Sequence, residues 1–95
     1  MSINDLSANH VGSAVTVTID IQTAAYDGYI TVYCDGSSGS NIMVNIYDDS
    51  SSSPMMIIEL RNDRTRSSTF NRKGMRFAYA SEPTSGCIAR FLPLI

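Results

Sequence analysis

Hydrophobic and polar positions alternate along most of this chain. Between Ala14 and Gln22, valine and isoleucine occupy odd positions (Val15, Val17, Ile19, Ile21), while threonine, aspartate and glutamine occupy even ones. A period of two built on β-branched residues predicts a half-buried strand, because successive side chains point to opposite faces of a sheet. Asp27-Gly28 marks a turn over 25–28. A second strand is predicted over 29–34, with Ile30, Val32 and Cys34 on one face and Tyr29, Thr31 and Tyr33 on the other. After a polar loop at 35–40, residues 41–47 set Ile42, Val44 and Ile46 opposite Met43, Asn45 and Tyr47. A serine-rich loop over 48–54 leads to a strand at 55–60 that is apolar on both faces, a pattern that predicts cover on both. Beyond the charged turn 61–66, a short strand is expected around Phe70 within 67–71. Residues 75–80 alternate Met75, Phe77 and Tyr79 against Arg76, Ala78 and Ala80, and a last strand covers 87–92. Pro93 then fits only an edge or an end.

Turn signals separate these short segments, and no stretch carries the helical period. The pattern predicts an all-β, jelly-roll-like antiparallel β-sandwich of about seven to eight strands. Residues 1–13 are polar and aperiodic and read as a leader or linker, leaving 14–95 as a single β-sandwich domain.

Composition narrows the function classes. Charged residues make up 17% of the 95, below the roughly 25% usual in soluble domains, and 14 serines supply polarity instead. That excludes a highly charged disordered tail. No apolar run reaches the roughly 18–20 residues of a membrane helix, and the opening MSINDLSANH has no secretory pattern. A domain this small buries only about 60–65% of its unfolded surface. With no disulfide framework or metal cluster evident, association with further copies is the remaining common reinforcement.

Net charge is −2 and the sequence pI about 5.0, so the whole domain has no electrostatic case for binding nucleic acid. The distribution is uneven. Residues 1–60 carry seven acids and no lysine or arginine, whereas 61–95 carry all seven bases and two acids, giving −7 and +5. Aromatic and apolar residues threaded through the bases imply folded strands, so the halves are expected to face each other, within one chain or between chains.

Catalytic chemistry finds little support. Cys34 and Cys87 have neither metal-ligand nor redox-motif spacing and read as reduced, small core residues, with a disulfide as the alternative. His10 is the single histidine and lies in the polar leader, which leaves no base for a Ser-His-Asp arrangement. Asp48-Asp49 reads as a solvated turn, and neither it nor Asp35-Gly36-Ser37 has the spaced acids of a calcium loop. No enzyme, cofactor or metal site is expected. Five tyrosines and no tryptophan suggest half-buried rings with wet hydroxyls, suited to packing on a neighbouring subunit or, less specifically, to stacking on sugar rings.

Three segments resemble a family. Thr23-Ala24-Ala25-Tyr26-Asp27-Gly28-Tyr29-Ile30-Thr31-Val32 resembles the opening of small trimeric β-sandwich modules of phage fibres, themselves similar to the tumour-necrosis-factor-like jelly roll. Arg72-Lys73-Gly74-Met75-Arg76-Phe77 resembles that family's basic-Gly turn into the penultimate strand, and Arg90-Phe91-Leu92-Pro93-Leu94 its chain end. The chain departs from the pattern in its heavy use of methionine. The resemblance covers roughly 14–95 and implies a homotrimer around a threefold axis, with a structural or host-attachment role in the virion as a fibre tip, head fibre or decoration module. Candidate axis-facing residues are Tyr29, Tyr33, Met43, Tyr47, Met75, Phe77 and Phe91. The partners implied are further copies of the chain and a host-surface glycan or a fibre or capsid protein, with no nucleic acid and no membrane. The alternatives are a monomeric carbohydrate-binding module and a C-terminal fragment that trimerises or folds a longer fibre.

Overall fold

A computed structural model of the chain describes residues 13–48, 50–62 and 64–94, with the backbone alone at Arg64. The polar leader therefore lies outside the described residues, apart from Ser13. The elements are β1 (Val15–Thr16), β2 (Gln22–Thr23), β3 (Gly28–Asp35), β4 (Asn41–Tyr47), β5 (Met56–Arg61), β6 (Arg64–Asn71), β7 (Arg76–Tyr79) and β8 (Cys87–Pro93). The described residues contain no helix. The strands form two four-stranded antiparallel sheets stacked as a sandwich, ordered β1-β8-β3-β6 and β2-β7-β4-β5.

Alternation builds the two central strands as expected. Ile30, Val32 and Cys34 of β3 and Ile42, Val44 and Ile46 of β4 are buried, while the residues alternating with them, Tyr47 apart, are half-exposed. Phe77 and Phe91 stack between the sheets with ring centroids 5.3 Å apart, surrounded by Val17, Ile58, Met75, Tyr79 and Ala89. Each such side chain contributes about 1.5–3 kcal/mol through removal of apolar surface from water. The Tyr79 hydroxyl is satisfied in this core, because it accepts the Ala89 N–H at 2.9 Å.

Two elements differ from the sequence reading. The predicted strand 14–22 is two short strands, β1 and β2, in opposite sheets. The chain crosses between them at 17–21, where Val17 plugs the core and Ile19 and Ile21 turn outward, 57% and 52% exposed. The Gln22 side chain supports the crossing: its Oε1 accepts the Thr18 N–H at 3.0 Å and its Nε2 donates to the Thr16 carbonyl at 3.3 Å. The second difference is β5. It is an edge strand, and Met55, Met56 and Ile57 remain 59%, 42% and 56% exposed, so the chain itself leaves the two-sided apolar run largely uncovered.

Candidate functional site

The outer face of the β1-β8-β3-β6 sheet is organised in cross-strand rows. Register sets Phe70, Tyr29 and Leu92 side by side, then Ser68, Thr31, Arg90 and Thr16, then Arg66, Tyr33 and Ile88. Phe70 and Tyr29 meet edge to face, with centroids 5.6 Å apart and planes at 76°. The Arg66 guanidinium lies over the Tyr33 ring at 5.2 Å. Directly opposed side chains of this kind are the stabilising unit of a sheet. They also leave surface available: Phe70 is 52% exposed, and Tyr29, Tyr33, Ile88 and Leu92 are half-buried. The β5–β6 edge adjoins this face. The Thr69 hydroxyl reaches Met56 Sδ at 3.8 Å, bringing the exposed Met56 beside β6. The surface offers aromatic and aliphatic contact with guanidinium groups among it.

The structure does not gather the seven predicted axis-facing residues on one surface. Tyr29 and Tyr33 lie on the outer face just described. Met43 and Tyr47 lie on the outer face of the other sheet, opposite Glu59 and Arg76. Met75, Phe77 and Phe91 belong to the chain's own core, 8%, 1% and 3% exposed, and have no surface to offer a neighbour. The correction has a physical reason. Alternation assigns residues to two faces but does not say which face is inner, and in β7 and β8 the aromatic face is the inner one. Sequence reasoning also missed Phe70, Ile88 and Leu92 on the face and Met55, Met56 and Ile57 at the edge. A signal existed for Phe70: β6 places only Thr65, Ser67, Thr69 and Asn71 on its inner side, so its one large apolar residue points out.

The chain covers the Tyr47 end of that second outer face itself, whereas Ile57, opposite Asn45 on the same face, is 56% exposed. The Asp48 carboxylate accepts the Ser50 and Ser51 N–H groups at 3.2 and 2.7 Å. These hydrogen bonds hold its carboxyl below the ordinary carboxylate range, helped by Arg76 and Arg72. Arg76 sits over the Tyr47 ring at 5.4 Å and donates to the Asp48 carbonyl at 3.2 Å and to the Ser51 carbonyl. Tyr47 is consequently only 8% exposed. Asp49 lies outside the described residues. The Arg61–Glu59 ion pair at 2.7 Å joins near neighbours of one strand, β5, and is solvent-exposed and worth little to stability.

The three segments that carry the family resemblance converge at one end of the sandwich. Asp27 Oδ1 accepts the Lys73 N–H at 2.8 Å, and the Asp27 carbonyl accepts the Leu94 N–H at 2.8 Å. Ala24 exchanges backbone bonds with Gly74 and Met75 at 2.9 and 2.8 Å. Gly28 leaves no room for a side chain, since a Cβ would strike the Leu92 carbonyl and come within 2.8 Å of the Phe91 ring. Gly74 adopts φ 92°, a conformation glycine takes without steric cost. These motifs therefore close the fold, and no ligand is needed to explain them.

At the opposite end, Cys34 and Cys87 face each other across β3 and β8 as free thiols with Sγ atoms 2.9 Å apart. Burial works to raise the Cys34 thiol, but hydrogen bonding from Cys87 and nearby polar groups outweighs it and holds Cys34 below its ordinary range. Desolvation and the adjoining Cys34 raise Cys87. No family model, curated protein or solved structure matches this chain.

Proposed function

We propose that this chain is a homotrimeric structural module of a phage virion, placed at a fibre tip, on a head fibre or as a capsid decoration, and that it takes part in attachment to the host surface. The observation that carries the reading is the unpartnered row Phe70–Tyr29–Leu92 with the apolar β5 edge beside it. One chain leaves both a flat aromatic face and an apolar edge wet, and a head-to-tail contact that seats the edge of one copy on the face of the next covers both. Three such contacts made about a threefold axis form a closed ring. The pairing scheme supports the fold within this reading. β1 pairs with β8, β2 with β7, β3 with β6 and β4 with β5, as in a long antiparallel ribbon wound into a jelly roll. The resemblance of segments 23–32, 72–77 and 90–94 to phage-fibre modules supplies the biological setting.

Sedimentation velocity at micromolar concentration tests the assembly. A species three times the 10.4 kDa chain mass is expected, and a monomer overturns the reading. For the attachment role, a bacterial glycan array probed with the trimer is expected to show at least one retained glycan. Failure there moves the binding partner to a fibre or capsid protein.

A further inference from the structure

We propose that Cys34 and Cys87 form an oxidation site, closed to an intrachain cross-strand disulfide by a small-molecule disulfide that enters at Cys87. This inference does not depend on the assembly reading.

The backbone is arranged for that bond. Cys34 and Cys87 are direct cross-strand partners in an antiparallel pair. The Cys87 N–H donates to the Thr84 carbonyl and the Asp35 N–H to the Gly86 carbonyl, both at 3.2 Å, so the two cysteines do not bond to each other through the backbone at this point. A pair of this non-hydrogen-bonded kind brings opposed Cα atoms to about 4.5 Å, the closer of the two ladder spacings. That spacing lies within the range a disulfide spans, about 4.4–6.8 Å. The turn is held in place independently: Gly86 has φ 87° and a side chain there would strike the Asp35 carboxylate.

Access is asymmetric. Cys34 is fully buried in the core, whereas Cys87 is half-buried and lines an open cleft of about 480 Å³ bordered by Thr16, Thr18, Ile19, Glu82, Thr84 and Ile88. The reaction therefore has a defined order. The Cys87 thiolate attacks one sulfur of the small disulfide, forms a mixed disulfide and releases the first small thiolate. The Cys34 thiolate then attacks Cys87 Sγ, forms the Cys34–Cys87 bond and expels the second small thiolate. The two cysteine protons pass to the two small thiols released, so two protein thiols are oxidised and one small disulfide is reduced. In the second step the buried Cys34 Sγ needs no large approach, because the two sulfurs already face each other across the strand pair, 2.9 Å apart in the reduced chain. Glu82 in the cleft disfavours an anionic reagent, so an uncharged disulfide should enter faster than oxidised glutathione.

The test treats the folded wild-type chain with oxidised 2-mercaptoethanol and follows it by intact mass and peptide mapping. Loss of two hydrogens with a Cys34–Cys87 cross-linked peptide is expected, together with a midpoint of thermal unfolding raised by about 10 °C or more and restored by reductant. The ring-closure equilibrium should favour the folded chain over the chain in denaturant by roughly thirty- to a thousandfold. Cys34→Ser should stop at one small-thiol adduct on Cys87, and Cys87→Ser should resist modification while folded. A wild-type chain that keeps a stable adduct on Cys87 without closing the ring, forms only interchain disulfides or stays reduced would overturn the proposal.

Discussion

Tyr33 and Tyr47 each lie under an arginine at nearly the same distance, 5.2 Å for Arg66 and 5.4 Å for Arg76, yet the two pairs behave as opposites. Arg76 is tied down by the carbonyls of Asp48 and Ser51, and Tyr47 beneath it is buried. Arg66 is exposed, Tyr33 is half-buried, and the rest of their face is an open strip of aromatic and aliphatic groups. The same two residue types are covered by the chain's own loop at Tyr47 and left open at Tyr33. What separates them is the loop that follows β4, whose serines and aspartate fold back onto the sheet. Nothing among the described residues folds over Phe70 in the same way.

The sharpest way to break the comparison is to strike what the two sheets share. Phe77→Asp removes a stacked core ring and buries a carboxylate, so it should cost more than about 4 kcal/mol and abolish folding. Circular dichroism that still shows a cooperative β transition would place Phe77 outside the core. Phe70→Asp is the contrasting change on the open face. It should leave the monomer within about 1 kcal/mol of wild type in urea melts while removing the trimer in sedimentation; retention of the trimer would exclude the Phe70 row from the contact.

The two arginines sharpen it further. Arg76→Ala should destabilise the isolated chain by about 1–2 kcal/mol, because it frees the 48–53 loop and uncovers Tyr47. Arg66→Ala should cost less than about 0.5 kcal/mol in the isolated chain and show its effect only in assembly. Equal losses from the two would end the distinction between a covered and an open arginine–tyrosine pair.

The smallest expected effect is electrostatic. Asp48 titrates lower in the folded chain than in the unfolded one, so its stabilising contribution is fully present above the ordinary carboxylate pKa and is lost as pH falls through the lowered folded value. Asp48→Asn keeps an acceptor for the Ser50 and Ser51 N–H groups but cannot titrate. Acid unfolding below about pH 4 should therefore be shallower in the variant than in wild type, and identical acid profiles would remove Asp48 from the closure of that face.

Legibility in the sequence followed the range of the interaction. The alternation in 29–34 and 41–47 grouped Ile30 with Val32 and Ile42 with Val44 on single faces, which are the buried ones in the structure, since a strand's two-residue period is local. Asp27-Gly28 marked its turn for the same reason. The run 14–22 misled because its period continues through a crossing between sheets, where the Val17 N–H donates to Ala89 of one sheet, the Thr18 carbonyl accepts from Tyr79 of the other and Gln22 accepts the Thr18 N–H. Parity separated Tyr29 and Tyr33 from Ile30 and Val32, and Phe77 from Arg76, equally clearly, but in neither strand did it say which side is inner.

Residue order alone therefore determined an all-β chain, the positions of most strands and the pairs of faces each one presents, since these rest on backbone sterics and side-chain alternation within a few residues. Tertiary structure decided which face of each strand is inner, that Met43 and Tyr47 share a different surface from Tyr29 and Tyr33, and that Cys34 meets Cys87 across 53 positions. Those outcomes depend on how the eight strands are wound into two sheets, a choice governed by pairings between distant segments that no local pattern records.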